Sequence, residues 1–259
     1  MTEAEAAAGR RPSPLLAPLV ALEFMTVLRL RRPGLVEPAL LGSSQAFFPL
    51  VGLLLGGLLA AVGLGLREAG ASGQLSGWLL VALLLLLTGA LHADGLADSA
   101  DGLFAAGPVS RRLDIMRDPA VGAFGVAALI VVLALKATAL GELAARERFD
   151  TLILAPCLSR WSCVAAIAAF PYARRDGLGS AFHTSSFPWA APAAAAAALA
   201  AGALTLGPDG GAAWLLATAL GLGLGAAVAT RLGGLTGDAY GAVVEVSEAL
   251  LLLAALAWY

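Results

Sequence analysis

Apolar runs of membrane-spanning length recur along almost the whole chain, and this feature constrains the fold most. A helix needs about 20 apolar residues to cross the hydrocarbon layer. Hydrophobic residues make up 59% of the 259 and charged residues only 13%, which excludes an ordinary soluble domain. We therefore predict an all-α polytopic membrane bundle of about seven transmembrane helices, at residues 46–66, 75–91, 121–140, 151–170, 189–206, 211–230 and 239–259.

The amino-terminal region differs from these segments. Residues 1–14 are charged and contain no hydrophobic stretch, so we predict a disordered cytoplasmic tail. Residues 15–28 are apolar, but the run is short and contains Pro18 and Glu23, which favours an interfacial or partly inserted helix over a full span. Residues 15–259 then form a single integral-membrane domain.

The distribution of arginines predicts the orientation, because basic residues that flank membrane spans concentrate on the cytoplasmic side. With seven spans, one side receives most of them: Arg10, Arg11, Arg29, Arg31, Arg32, Arg111, Arg112, Arg117, Arg174, Arg175 and Arg231. The other side receives Arg67, Arg146 and Arg148. We expect the amino terminus inside the cell (inner) membrane, with loops 92–120, 171–188 and 231–238 on the cytoplasmic face.

Three aspartates follow the second predicted span at helical spacing. Asp94, Asp98 and Asp101 stand at i, i+4 and i+7, so on a helix that continues the span they share one face. Carboxylates this close repel one another, and low dielectric magnifies the repulsion. Because Mg²⁺ takes oxygen ligands and bridges a few carboxylates to substrate phosphates, the pattern predicts a Mg²⁺ site.

A second charged group occupies a short predicted helix after the first, and it comprises Arg111, Arg112, Asp114, Arg117 and Asp118. A solvated loop whose acids and arginines merely pair is the alternative. Five aspartates and three arginines within residues 94–118 of a charge-poor chain favour a functional site. Such a set suits phosphoryl transfer, since metal and guanidinium groups offset phosphate charge while a carboxylate accepts a proton.

The last predicted span carries Asp238, Glu245 and Glu248 on one face, at i, i+7 and i+10. A charge in mid-span costs about 2.5–3.5 kcal/mol on the insertion scale, so such residues are functional or paired. We predict that they contact substrate. The alternative is that Asp238 caps the helix while the glutamates pair with Arg160 or Lys136.

Four further residues are candidate site residues, and most of them also have a structural interpretation. Glu23 is a candidate substrate contact near the amino terminus. His92, at the mouth of the second span, is either an acid/base group or a hydrogen-bonded structural residue. Arg174 and Arg175 precede Gly177 in a loop that could grip phosphate, although the positive-inside bias also explains these arginines.

With these residues laid out, the chain resembles the cobalamin synthase family, the adenosylcobinamide-GDP ribazoletransferases. The resemblance spans nearly the whole chain and rests on several separate motifs in the same order. They are residues 47–52 (FFPLVG), 89–102 (GALHADGLADSADG), 112–118 (RLDIMRD) with Gly122, Ser159 with Arg160, 174–179 (RRDGLG), and 233–238 (GGLTGD) with Glu245 and Glu248.

The resemblance implies the last step of cobalamin nucleotide-loop assembly. In that step the ribose 3′-hydroxyl of α-ribazole, or of α-ribazole 5′-phosphate, attacks the cobinamide-side phosphorus of adenosylcobinamide-GDP and expels GMP, with Mg²⁺ required. The expected partners are these two substrates and membrane lipid, and a homo-oligomer is left open. With a net charge of −2, nothing in the chain attracts nucleic acid.

A more distant similarity to CDP-alcohol phosphotransferases suggests individual roles. On that logic Asp98, Asp101 and Asp114 are metal ligands, and Asp94 is a ligand or supports one. Asp118 is the general base, while Arg112 and Arg117 hold the diphosphate.

Two other functions remain as alternatives. A phosphotransferase of that type acting on lipid would share the metal site, but position 106 is Ala where that family has Arg. A cation-coupled transporter would place its acids at mid-membrane depth.

Overall fold

The computed structural model describes residues 16–30, 36–174, 178–185 and 187–258, and within these ranges the chain is helical without a β-strand. The predicted tail, residues 1–14, and Arg175 lie outside them. Two short 3₁₀ segments, Gln45–Phe47 and Leu178–Ser180, accompany the α-helices. In chain order these are α1 (Ala17–Met25), α2 (Pro38–Ser44), α3 (Phe48–Glu68), α4 (Gly73–Thr88), α5 (Leu91–Phe104), α6 (Val109–Ile115), α7 (Ala123–Ala145), α8 (Phe149–Ala169), α9 (Ala181–Thr184), α10 (Ala190–Leu206), α11 (Asp209–Leu232) and α12 (Gly237–Trp258).

Each of the seven predicted spans contains a helix, and the protein is an integral-membrane helix bundle. Five helices are long and apolar enough to cross a membrane: Pro38–Glu68, which joins α2 and α3, then α7, α8, α11 and α12. Helices α4 and α10 have only 16 and 17 residues, below the length of about 20. The number of fully spanning helices by length and composition is thus five, or six with the bent pair α4–α5, against the predicted seven.

Helix α1 agrees with the prediction for residues 15–28, because its nine residues extend only about 14 Å. Large apolar side chains on several helices of the bundle are exposed, as expected for a surface that contacts lipid. Among them, Leu204 is 87% exposed, Leu86 73% and Leu54 67%.

The acidic stretch does not continue the second span, which corrects the sequence prediction. Helices α4 and α5 meet at an angle of 93°. The turn between them consists of Gly89 and Ala90, both left-handed with φ values of 60° and 55°, and the Ala90 N–H donates to the Leu85 carbonyl at 2.8 Å. These left-handed residues end α4 and turn the aspartates away from its axis. We therefore place α5 outside the spanning part of the bundle.

Helix α8 lies at the centre of the bundle and packs against α3, α10, α11 and α12. The contact with α3 is a direct approach of two backbones. A Cβ atom at Gly52 would lie 2.2 Å from the Pro156 carbonyl oxygen, so this position accepts no side chain. The small residue at this position therefore allows close packing of α3 on α8.

The three polar loops meet on one face of the bundle, as predicted. Residues 171–173 pair with Leu235: the Leu235 N–H donates to the Pro171 carbonyl and the Ala173 N–H donates to the Leu235 carbonyl, each at 2.8 Å. Arg231 donates to the Leu103 carbonyl at 3.0 Å. The loop before α12 is thereby joined to the loop after α8, and the end of α11 is joined to the acidic helix α5.

Candidate active site

The site begins where α5 crosses the start of α12. At Gly95 a Cβ atom would lie 2.6 Å from the carbonyl oxygen of Asp238, so the two helices touch through their backbones. This crossing brings Asp238 beside the acidic face of α5. Asp238 is also held from the neighbouring loop, because Arg174 forms an ion pair with its carboxylate at 3.0 Å.

The carboxylates at this crossing repel one another. Burial, together with the charges of Asp94, Asp238 and Asp101, raises the pKa of Asp98 to about 6. The guanidinium of Arg174 acts in the opposite direction but does not cancel the effect. The site thus carries excess negative charge, which a divalent cation would relieve.

Arg174 has donors that no described residue uses. Its side chain is 12% exposed, and within the described ranges its buried Nε and Nη2 atoms have no hydrogen-bond partner. Leaving a buried donor unpaired is unfavourable. Since the guanidinium fork matches the oxygens of a phosphate, these two donors suit a phosphate group of a substrate.

Asp101 has a different surrounding from the other acids of α5. It is 8% exposed, and its two oxygens accept hydrogen bonds from the backbone N–H groups of Gly122 at 2.7 Å and Gly125 at 2.9 Å. These groups are at the amino terminus of α7, where donors lack helical partners. Asp101 therefore fixes the start of α7, and its metal ligation remains a prediction.

The charged residues around α6 are spread over the surface. Asp114, Arg117 and Asp118 are exposed, and the Asp118 carboxylate accepts the Ala120 N–H at 2.9 Å within a turn. Arg112, predicted to hold the diphosphate, donates to the Gly107 carbonyl at 3.2 Å and to the Leu103 carbonyl. Its guanidinium thus already binds backbone oxygens at the end of α5.

The four predicted metal ligands are not assembled into one cluster. Among the described residues, no group of three or more histidine, cysteine, aspartate or glutamate side chains is arranged to hold a metal ion. Mg²⁺ commonly binds through one or two carboxylates while waters and substrate phosphates complete its shell. The neighbouring carboxylates of Asp94 and Asp98, with the raised pKa of Asp98, fit that mode of binding.

Glu245 and Glu248 do not reach this site, and the structure instead supports the alternative that they pair within the membrane. Lys136 lies 2.8 Å from a carboxylate oxygen of each glutamate. Arg160 forms an ion pair with Glu248, which also accepts from the Ser159 hydroxyl at 3.0 Å. All four charged side chains are buried. Their predicted contact with substrate is therefore corrected to a buried ion-pair network.

A cavity of about 260 Å³ opens beside the crossing of α5 and α12. Four predicted site residues line it: His92, Asp94, Arg174 and Asp238. Aromatic side chains form much of the remaining wall, namely Phe24, Phe48, Tyr172, Phe182 and Tyr240. Glu23 is not part of the lining; its carboxylate accepts the Leu30 N–H at 2.8 Å.

His92 is almost fully buried, at 4% exposure. Burial and the positive charge of Arg160 lower its pKa to about 3, so the imidazole is neutral near pH 7. A base with this pKa is a weak proton acceptor. The structure thus favours a hydrogen-bonding role for His92 over a general base, and its buried Nδ1 has no partner among the described residues.

Comparison with known proteins decides the family. The family described as cobalamin-5-phosphate synthase matches residues 17–256. The chain belongs to this family. Similar proteins include the adenosylcobinamide-GDP ribazoletransferases of Stutzerimonas stutzeri (strain A1501), 41% identical over 92% of this chain and 97% of the relative, and of Desulfitobacterium hafniense (strain Y51), 41% identical over 91% and 94%. No solved structure matches the chain.

Family membership agrees with the resemblance found in the sequence and disfavours the two alternatives. The acids that a transporter would place at mid-membrane depth are Glu245 and Glu248, and both are neutralised by Lys136 and Arg160. Of the α5 acids, Asp94 instead lines a cavity on the face where the polar loops meet, and Asp98 lies one helical turn after Asp94.

Sequence reasoning missed the aromatic wall of the cavity. Its members come from α1, α3, the loop after α8, the short helix α9 and α12, and no spacing pattern connects residues so far apart. One local signal existed, because Tyr240 and Gly241 lie two and three residues after Asp238 on the helix that crosses α5.

Proposed function

We propose that this protein transfers adenosylcobinamide phosphate from adenosylcobinamide-GDP to α-ribazole, or to α-ribazole 5′-phosphate, and releases GMP. In this reaction a ribose hydroxyl oxygen bonds to the cobinamide-side phosphorus, the bond from that phosphorus to GMP breaks, and the hydroxyl proton passes to a base. The observation that carries the proposal is the arrangement of Asp94, Asp238 and Arg174 at one cavity, with Asp98 close enough to interact with all three charges, in a chain of this family.

Each group of this site has a task that follows from its surroundings. The two unpartnered donors of Arg174 would bind phosphate oxygens of the diphosphate. Asp94 and Asp98 would hold Mg²⁺, which when bound offsets charge on the diphosphate. Asp118 is our candidate base, since a carboxylate outside the membrane interior can accept the hydroxyl proton. Asp114 and Arg117, exposed on the same segment, would contact metal or diphosphate.

We place this site on the cytoplasmic side of the cell membrane, with the amino terminus inside. The asymmetric distribution of arginines supports this orientation, because the loops that build the site carry most of them. Lipid then surrounds the bundle, while both substrates reach the polar face from the cytoplasm.

The proposal is tested with purified protein in detergent, supplied with Mg²⁺, adenosylcobinamide-GDP and α-ribazole. We expect release of GMP with matching formation of adenosylcobalamin, and neither product after chelation of the metal. Asp98→Asn should reduce the rate of formation of both at least about 100-fold, whereas Glu142→Gln, which removes an exposed acid at the carboxyl end of α7, should leave both unchanged. Wild-type protein that releases no GMP above the chelated control would overturn the proposal.

A further inference from the structure

The cavity beside α5 has two chemically different ends. At one end Phe24, Phe48 and Phe182 pack together, with ring centroids separated by 5.1 Å between Phe24 and Phe182 and by 5.5 Å between Phe48 and Phe182. At the other end are the charged side chains of Asp94, Arg174 and Asp238. A ligand that fills this cavity therefore needs a flat apolar part and a polar part.

We propose that the aromatic end binds the planar base of the acceptor ribonucleoside, while its ribose lies at the charged end. This inference rests on the proposed function and assigns one substrate to one part of the site. In this placement the base stacks on or against the edges of the phenylalanine rings. The ribose hydroxyls then lie beside the carboxylates and Arg174, where attack on the phosphorus is proposed.

The volume of the cavity determines which part of the two substrates can fit inside it. Sites for drug-sized ligands usually measure about 300–1,000 Å³, and this cavity measures about 260 Å³. It can hold a single nucleoside. A corrin ring system, or a whole nucleoside diphosphate joined to one, is too large for it and has to lie outside.

The polarity of the aromatic end distinguishes the acceptor base from guanine. Guanine carries a carbonyl, a ring N–H and an amino group on one edge, and each needs a partner when buried. The wall here is formed by Phe24, Phe48 and Phe182, and Met25 and Cys163 also line the cavity. The Nδ1 of His92, which has no partner among the described residues, offers guanine at most one of the hydrogen bonds that this edge needs. The Tyr240 hydroxyl is already bonded to His183 Nε2 at 2.9 Å. The dimethylbenzimidazole of α-ribazole instead presents two methyl groups on the corresponding edge and needs no partner there.

The test measures the two substrates separately in a variant of Phe24, which is partly exposed and so tolerates truncation better than the buried Phe48 and Phe182. Because stacking of a base on an aromatic side chain is worth about 1–3 kcal/mol, Phe24→Ala should raise KM for α-ribazole about tenfold or more. KM for adenosylcobinamide-GDP should change less than about twofold. Phe24→Leu, which keeps apolar volume but not the ring, should lie between wild type and Phe24→Ala.

A matched control is Phe104→Ala, since the Phe104 ring packs against Phe124 at 5.5 Å and is not part of the cavity lining. This variant should leave KM for α-ribazole unchanged. A rise in KM for adenosylcobinamide-GDP alone in Phe24→Ala would place guanine in the cavity and overturn the inference. An unchanged KM for both substrates would also overturn it.

A binding measurement separates failure of this inference from failure of the proposed function. Equilibrium dialysis of α-ribazole against the protein in detergent, without adenosylcobinamide-GDP, requires no catalysis. Binding to wild type that weakens about tenfold in Phe24→Ala supports the aromatic subsite even if no GMP is released. If GMP is released but dialysis gives equal binding for both proteins, the proposed function stands and the subsite is wrong.

Discussion

Two groups of charged residues in this protein differ in how completely their charges are balanced. In the interior of the bundle, Lys136 and Arg160 neutralise Glu245 and Glu248 through ion pairs. At the crossing of α5 and α12, Asp94, Asp98 and Asp238 have the guanidinium of Arg174 to offset their charge. The first group is electrically balanced within the protein, whereas the second carries excess negative charge.

The difference separates a structural role from a chemical one. A buried charge without a partner is strongly unfavourable, so the interior group must be complete for the chain to fold. The group at the cavity is closer to solvent, with Asp94 exposed and Asp98 half-buried, so excess charge can be tolerated there until a ligand balances it. Four substitutions test this division, and they are ordered by the size of the expected effect.

The largest effect is expected from Lys136→Met. This change leaves Glu245 buried without its cation and should lower the free energy of unfolding by about 3–5 kcal/mol. Thermal unfolding in detergent measures the loss. The matched control is Lys136→Met combined with Glu245→Gln, which restores neutrality and should recover most of the stability. A single variant as stable as wild type would contradict the structural role.

Asp98→Asn should leave folding intact but reduce turnover at least about 100-fold, which corresponds to about 2.7 kcal/mol in the barrier. Removing this carboxylate relieves repulsion from Asp94 and weakens the proposed Mg²⁺ site. Thermal unfolding should show that Mg²⁺ stabilises wild type and not the variant. Equal stabilisation of both proteins by Mg²⁺ would remove Asp98 from the metal site.

Asp101→Asn is expected to lower both stability and turnover. Asp101 belongs to the acidic helix α5, but it is buried and hydrogen-bonded like the charged residues of the interior. An amide can accept only one of the hydrogen bonds from Gly122 and Gly125, so we expect a loss of about 1–3 kcal/mol in stability. Chemical or thermal unfolding without Mg²⁺ isolates this effect from metal binding. Unchanged stability would show that the contact with α7 contributes little.

The smallest effect is expected from Arg67→Gln at the opposite end of the bundle. Arg67 pairs with Glu68 and Glu147, but these side chains are exposed, and such pairs contribute about 0–1 kcal/mol. Both unfolding temperature and turnover should match wild type within error. A loss of stability comparable to that of Lys136→Met would mean that the exposed ion pairs of this protein contribute as much as the buried ones.

Much of this division could be predicted from the sequence. The apolar spans follow from hydropathy, and arginine counting correctly grouped the three polar loops. The sequence also offered pairing with Lys136 or Arg160 as one of two readings of Glu245 and Glu248. Choosing between them required the distances, because a helical face tells which residues point together but not which neighbouring helix they meet.

Other features were outside the reach of sequence reasoning. The spacing of Asp94, Asp98 and Asp101 is the same whether α5 continues α4 or turns away from it, and an alanine such as Ala90 gives no signal of a left-handed conformation. The capping of α7 by Asp101 depends on a contact between α5 and the start of α7, which are separated in the chain by α6. The aromatic wall of the cavity is formed by residues from five segments that are distant in the sequence and close only in the folded protein.

The turn at Gly89 and Ala90 also fixes the depth of the acids. Along a helix that crosses a membrane, each residue lies about 1.5 Å deeper than the last, so Asp94 and Asp101 would differ by roughly 10 Å in distance from the water. With α4 upright, the angle of 93° lays α5 nearly flat, and its aspartates share one level. A diphosphate at the membrane surface can then approach Asp94 and Asp98 without entering the lipid, while Asp101 stays bound to the start of α7.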